Sequence, residues 1–261
     1  MFIELKVNSR EENGLVTISC KNAKFTKIKA ILFDKDGTLE NSQTFLRELG
    51  IKRTRLIDAQ IPGIGEPLLM AFGIQDDFLD PTGLMAVGSR QENEIAAAAY
   101  IAETGRSWFE SKEIARNAFE EANRYLTRTA ESSPLFAGSL EILKYLADAG
   151  LKLGILSADS TAGVEAFVEC HRLTPYIQLT MGADLGSKPD PALFIRACQA
   201  LEVEPVHTLM VGDARGDIEM AKAAGAAGTI GICWETSQSG ARVAGADVAI
   251  AQLDEIKILA T

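Results

Sequence analysis

Residues 30–33, Ala-Ile-Leu-Phe, form an unbroken apolar run that stops abruptly at Asp34-Lys35-Asp36-Gly37-Thr38. A run this short, carrying β-forming Ile and Phe, predicts a buried strand that closes in a polar turn. Upstream, residues 2–7 and 15–20 read as two short strands joined by a polar loop, an N-terminal β-hairpin over residues 1–21. From residue 43 to 132 the period becomes helical, most plainly at 94–103 and 113–122, and convincing buried strands are missing. Gly- and Pro-bearing stretches at 61–65, 80–83 and 87–90 mark turns between those helices, and Ser132-Ser133-Pro134 closes the insert. Beyond Pro134 strands and helices alternate: helix 140–149, strand 151–156, helix 163–170, strand 177–180, helix 191–201, strand 207–211, helix 217–224, then strands 228–233 and 247–250. This alternation predicts an α/β fold, a doubly wound parallel sheet built from residues 1–42 and 133–261, interrupted by a helical domain at 43–132.

In sheets of this class, polar residues at the carboxyl ends of the strands gather in one crevice. The first core strand ends in Asp34 and Asp36, the second in Ser157-Ala158-Asp159-Ser160, and a later one in Gly212-Asp213-Ala214-Arg215-Gly216-Asp217; Lys188 stands in Ser187-Lys188-Pro189-Asp190, just before a helix. Alternation along the first strand points Asp34 and Asp36 to the same side, so both carboxylates are expected to face one cation and one anionic substrate. A solvated turn after a core strand is the plainer reading of Asp-x-Asp-Gly alone, because Asp and Gly are common turn residues.

Composition narrows the chemistry. The 261 residues are 47% hydrophobic, enough for a large core, and their formal net charge of −10 disfavours nucleic acid as a partner. No apolar run nears the roughly 20 residues of a membrane span. The first residues lack a signal-peptide layout, so a cytoplasmic protein with no membrane partner is expected. Two histidines leave little material for a His-based metal site, and the four cysteines, widely spaced and mostly within apolar segments, suit buried thiols. Asp34 and Asp213 suit a hard oxygen-seeking cation, Mg²⁺ above all. Ser157, Lys188 and the backbone N–H groups after the strands, such as that of Ala158, suit phosphate oxygens. An aspartate beside such a cation can attack phosphorus and become an aspartyl-phosphate, while a neighbour two residues on handles the proton.

Four segments in order, Phe33 to Leu39, Ile155 to Ser160, Gly186 to Phe194 and Val211 to Gly225, resemble the haloacid dehalogenase superfamily in its phosphatase branch. The resemblance implies Asp34 as nucleophile and Asp36 as acid/base and backbone-carbonyl metal ligand. It also implies Ser157 as phosphate binder, Lys188 as charge stabiliser, Asp213 as metal ligand and Asp217 as support of the metal site. The insert resembles the helical cap of the phosphoglycolate phosphatase-like subgroup, and Arg90, on the turn Gly88-Ser89-Arg90, is the cap's candidate substrate-binding residue. Departures are Glu40-Asn41-Ser42, where Asp-Ser often follows one variable residue, and Gly216, where Asn or His is common.

The expectation is therefore a Mg²⁺-dependent phosphatase of a small phosphorylated metabolite, monomeric or homodimeric. A phosphomutase that returns the phosphoryl group to a sugar, or a non-catalytic binding protein on the same fold, stands as the alternative. A dehalogenase is disfavoured, because that chemistry needs neither Asp36 nor a metal. Ser157 has a plainer reading as a helix cap, Asp217 as a helix-start carboxylate, and Arg215 as a solvated turn residue. Cys170 and His171 read as packing or surface residues, and Glu110, Glu113, Glu120 and Glu121 as a solvated helix face.

Overall fold

The computed structural model describes residues 15–234 and 243–259. At its centre lies β3 (Ala30–Phe33), the apolar run that ends in the two aspartates, with all four residues buried. It pairs in parallel with β6 (Lys152–Leu156) on one side and β8 (Thr208–Gly212) on the other. β7 (Leu179–Met181), β9 (Gly228–Ile232) and β10 (Val248–Ile250) complete a six-stranded sheet of order β10-β9-β8-β3-β6-β7.

A strand buried on both faces sends alternate side chains to opposite layers. Ile31 and Phe33 enter one layer with Leu153, Ile155, Leu209 and Val211, beneath α6 (Ser139–Asp148) and α7 (Thr161–Cys170). Ala30 and Leu32 enter the other, beneath α8 (Pro191–Ala200) and α9 (Arg215–Ala223). The fold is the doubly wound α/β sheet that the chain's alternation predicts.

The N-terminal hairpin expected over residues 1–21 falls partly on undescribed chain. Residues 2–7 lie outside the described residues, and β1 (Val16–Cys20) pairs antiparallel with β2 (Ala23–Ile28) and with β11 (Ile256–Leu259). Alternation in β2 is masked in the sequence because Lys27 has a positive φ of 60° and the β1–β2 ladder shifts register between Val16 and Ile18. The resulting three-stranded sheet packs Ile18, Phe25, Ile28 and Ile256 into the same layer as α6 and α7.

The insert is helical, as expected: α1 (Gln43–Asp58), α2 (Gly65–Phe72), α3 (Leu84–Val87), α4 (Arg90–Glu103) and α5 (Trp108–Tyr125). It also holds a two-stranded ribbon of β4 (Ile74–Gln75) and β5 (Phe78–Leu79), too short to give a strand pattern in the sequence. Its own core, around Phe45, Leu49, Ile57, Phe72 and Phe119, is separate from the layers of the sheet, which makes the insert a cap with an independent interior. Chain entry and exit are tied together where the Asn41 N–H donates to the Pro134 carbonyl and the Phe136 N–H to that of Leu39. Among the described residues no helix is long and apolar enough to cross a membrane. No disulfide forms among them either; Cys20 and Cys198 are buried as expected, whereas Cys170 is exposed.

Candidate active site

Past Phe33 the chain leaves the sheet, and the segment from Asp34 to Glu40 folds into a tight loop. The N–H groups of Leu39 and Glu40 donate back to the Lys35 carbonyl, and the Gly37 N–H donates to that of Glu40. Gly37 has a φ of +79°, and a Cβ there would stand 2.4 Å from Asp213 Oδ2, so both the turn and its neighbour demand glycine. This loop brings β3 and β8 together chemically: Thr38 Oγ1 donates to Asp213 Oδ1 at 3.3 Å.

Asp34, Asp213 and Asp217, all buried, present carboxylate oxygens within 4.8 Å of one another. Lys188 reaches into this group, its Nζ lying 2.5 Å from Asp34 Oδ1 and 2.6 Å from Asp217 Oδ1. Burial, then the nearness of Asp217 and Asp213, holds the Asp34 carboxyl well above the usual carboxylate range against the pull of Lys188. Burial works against the Lys188 ammonium, yet Asp217 and Asp34 outweigh it and raise its pKa. Asp217 also accepts from the Ala214 N–H at the start of α9, so the helix-start role and the cluster role coincide in one side chain. An all-oxygen, buried donor set beside a loop too tight for a Cβ fits a small hard cation such as Mg²⁺, whose charge would relieve the crowding that drives Asp34 upward.

The two aspartates of the loop do not share one cluster, contrary to the expectation from strand alternation. Because the chain turns after Phe33, the Asp36 carboxylate joins a second group: Lys35 Nζ at 2.7 Å and Arg128 Nη1 at 2.7 Å. Lys35, wholly buried, also pairs with Glu40 and Asp159, each at 3.1 Å, while Arg128 pairs with Glu40 and stacks over Phe45 at 4.5 Å. Burial opposes the Asp36 charge, but Arg128 and Lys35 overcome it and hold its carboxyl far below the ordinary value. Glu40 is the converse: burial dominates and its pKa rises despite both cations. Asp34 and Asp36 thus line one cavity of about 650 Å³ yet sit in opposite electrostatic settings.

That cavity is also lined by Ser157, Ala158, Lys188 and Arg90, so it gathers the sequence-derived candidates in one place. The Ser157 hydroxyl accepts from the Asp159 N–H at 3.1 Å, while the cap of α7 is Ser160, three residues on. Arg90 Nε is engaged by Glu94 at 2.7 Å on its own helix, and the residue lines the cavity. Arg215 is exposed and paired with Glu219, as a solvated residue would be. His171 lines the cavity and its Nε2 lies 3.9 Å from Glu40, a placement its helix-end position did not suggest.

From the sequence no role is assigned to Glu40 or Asp159, though both stand in segments it marks, and Lys35, Arg128 and Arg53 are not singled out. Lys35 lies inside the motif but was eclipsed by its neighbours. Arg128 comes from a polar stretch 92 residues from Asp36 with no local sign of burial. Arg53 carries a usable signal: it continues the i, i+4 series Phe45, Leu49, Arg53, Ile57, which places a cation in the apolar stripe of α1.

The family model for haloacid dehalogenase-like hydrolases matches residues 28–225, well over half of the chain. An N-acetylmuramic acid 6-phosphate phosphatase of Pseudomonas putida is 27% identical over 202 residues, covering 76% of this chain and 80% of that protein. A phosphoglycolate phosphatase of Escherichia coli K12 is 28% identical over 206 residues, covering 77% and 80%. The crystal structure of a predicted phosphoglycolate phosphatase from Haemophilus somnus superposes with a TM-score of 0.65 at 19% identity, over 87% of this chain and 95% of that one.

Proposed function

Because the chain belongs to the haloacid dehalogenase-like hydrolases and works as a phosphatase, we propose that it hydrolyses the phosphomonoester of a small metabolite through an aspartyl-phosphate on Asp34, with Mg²⁺ as cofactor. The observation that carries this reading is the buried group of Asp34, Asp213 and Asp217 gripped by Lys188 at the end of the central strand. Asp34, Asp213 and Asp217 would hold the cation, together with the backbone carbonyl of Asp36. When bound, Mg²⁺ would supply charge that offsets repulsion between an anionic nucleophile and an anionic ester.

The chain's own groups divide the remaining work. Lys188 fixes the Asp34 carboxylate and offers its ammonium to a phosphoryl oxygen, while the Ser157 hydroxyl and the N–H of Ala158 take others. Asp34 attacks phosphorus, the bond to the ester oxygen breaks, and that oxygen leaves with a proton from Asp36. Asp36 then takes a proton from the water that attacks the aspartyl-phosphate, releasing inorganic phosphate and restoring Asp34. For Asp36 to be a proton donor its carboxyl must rise from the depressed state that Arg128 and Lys35 impose, and approach of an anionic ester pushes in that direction.

Turnover of p-nitrophenyl phosphate and of an alkyl phosphate, with rapid quench and mass spectrometry of the Asp34 peptide, tests the scheme. Asp34→Asn abolishes turnover with no covalent phosphate. Asp36→Asn loses roughly 10² to 10⁴ in rate, less on the aryl ester, and accumulates phosphate on Asp34. Equal losses on both esters without trapped phosphate would refute the assignment of Asp36.

A further inference from the structure

Trp234 stands just beyond the end of β9, half-buried against the layer beneath α6 and α7. Its indole Nε1–H donates to the Gly37 carbonyl at 3.1 Å. Its ring lies on that of Phe136, with centroids 4.3 Å apart and planes 13° from parallel. Phe136 belongs to the chain returning from the cap, and its N–H donates to the Leu39 carbonyl, which also accepts from the Ser139 hydroxyl. One side chain therefore touches both the loop that follows β3 and the segment that closes the cap.

The loop needs such a hold at this residue. Asp213 stands where a Cβ of residue 37 would be, so the position is confined to glycine, and glycine has no side chain to resist rotation of the peptide that joins it to Thr38. The N–H of that peptide is 3.4 Å from the Lys35 carbonyl, so the bond from Trp234 to its carbonyl end is the shorter of the two. Next along the chain is Thr38 Oγ1, which donates to Asp213 Oδ1. The orientation of the Gly37–Thr38 peptide thus decides whether the Thr38 hydroxyl meets Asp213. Asp213 lines the cavity whereas, among the described residues, Trp234, Gly37 and Thr38 do not, so any effect of Trp234 on the chemistry passes through Asp213.

Resting on the phosphatase reading, we infer that Trp234 is a positioning residue of the reaction: its indole N–H fixes the Gly37–Thr38 peptide so that Thr38 holds the Asp213 carboxylate in its group with Asp34 and Asp217. Stacking on Phe136 anchors the indole at the base of the cap and so keeps the donor aimed. Loss of the N–H loosens Asp213 without removing any contact to the ester, and it is read in kcat rather than in KM.

Two variants of the full-length chain separate the donor from the stack, assayed on p-nitrophenyl phosphate at about pH 8, where an imidazole is neutral. Trp234→Phe keeps an aromatic face for Phe136 and lacks the donor. Trp234→His offers an N–H at the equivalent place of its five-membered ring and loses the benzo half of the stack. Trp234→Phe should lower kcat by about tenfold with KM within about twofold, whereas Trp234→His should keep kcat within about threefold although its Tm falls further. A kcat of Trp234→Phe within about twofold of the wild type overturns the inference, and so does a loss in Trp234→His as large as that in Trp234→Phe, the mark of a merely structural residue; both outcomes spare the phosphatase reading. If Trp234→Phe does not fold, Trp234→His decides: near wild-type kcat supports the inference and a loss of about tenfold overturns it. If the wild type does not hydrolyse p-nitrophenyl phosphate, the phosphatase reading has failed. Amide hydrogen exchange of the metal-free chain then decides whether Trp234 fixes the loop: faster exchange over residues 34–40 in Trp234→Phe but not in Trp234→His supports it, and equal exchange in Trp234→Phe and the wild type overturns it.

Discussion

Replacing Arg128 with Met should show what the second charge group contributes, because Met keeps an unbranched apolar stem and removes the guanidinium, with its ion pairs and its contact over Phe45. Arg128 pairs with Asp36 and Glu40 and lies 3.8 Å from Asp159, and only 14% of its side chain is exposed. Removing one partner from a buried ionic network costs about 3–5 kcal/mol. The partial exposure of Asp159, 33%, puts this case toward the lower end, since that pair is screened by solvent. For a chain of this size the loss corresponds to a fall in Tm of about 6–20 °C.

The pH dependence follows from the directions of the shifts. In the wild type Asp36 is depressed, so its contribution is present above its unfolded pKa and is lost as pH falls through the folded one. Glu40 is raised, so its contribution is full below its unfolded pKa and is lost as pH rises through the folded one. Without Arg128 both carboxylates move upward and their ionised forms become harder to keep. The deficit of Arg128→Met should therefore be greater at pH 7.5 than at pH 5, because the raised pKa of Glu40 makes its protonation, which relieves the deficit, easier as the pH falls. Urea unfolding of both proteins at the two pH values measures this. A deficit under about 1 kcal/mol at pH 7.5, or one that does not change with pH, would show that the network does not stabilise the fold.

Two further outcomes follow from the first group. Gly37→Ala places a methyl 2.4 Å from Asp213 Oδ2 at a φ of +79°, so kcat should fall by at least about 100-fold with a modest loss of Tm; wild-type kinetics would contradict the tightness of the loop. EDTA should abolish turnover of p-nitrophenyl phosphate, Mg²⁺ should restore it and Ca²⁺, which prefers more ligands at longer distances, should restore it poorly, whereas full activity in metal-free buffer would exclude the cation from the mechanism.

How far each part could be read from the sequence depended on how local its cause is. The parallel sheet was legible because strands buried on both faces are largely apolar, as in residues 30–33 and 209–211, and because carboxyl-end residues converge by topology without regard to separation. Asp34, Ser157, Lys188 and Asp213 were found on that ground and do share one cavity. The pairing of β1 was not legible, because it finds one partner, β11, at the far end of the chain and the other across a ladder whose register slips, a combination no local period encodes. Arg128 was invisible for the same reason, since a lysine or arginine in a polar stretch is ordinarily solvated, and only tertiary structure brings the exit of the cap against the loop after β3. That placement has a consequence for motion. The segment between α5 and Pro134 joins the insert back to the sheet, and it carries an arginine hydrogen-bonded to Asp36 and Glu40 and ion-paired with Asp159 at 3.8 Å, three groups of the core. A cap that swung on this segment would disturb the partner that holds the Asp36 carboxyl low, so Arg128 is the side chain through which a lid movement would reach the charge state of Asp36.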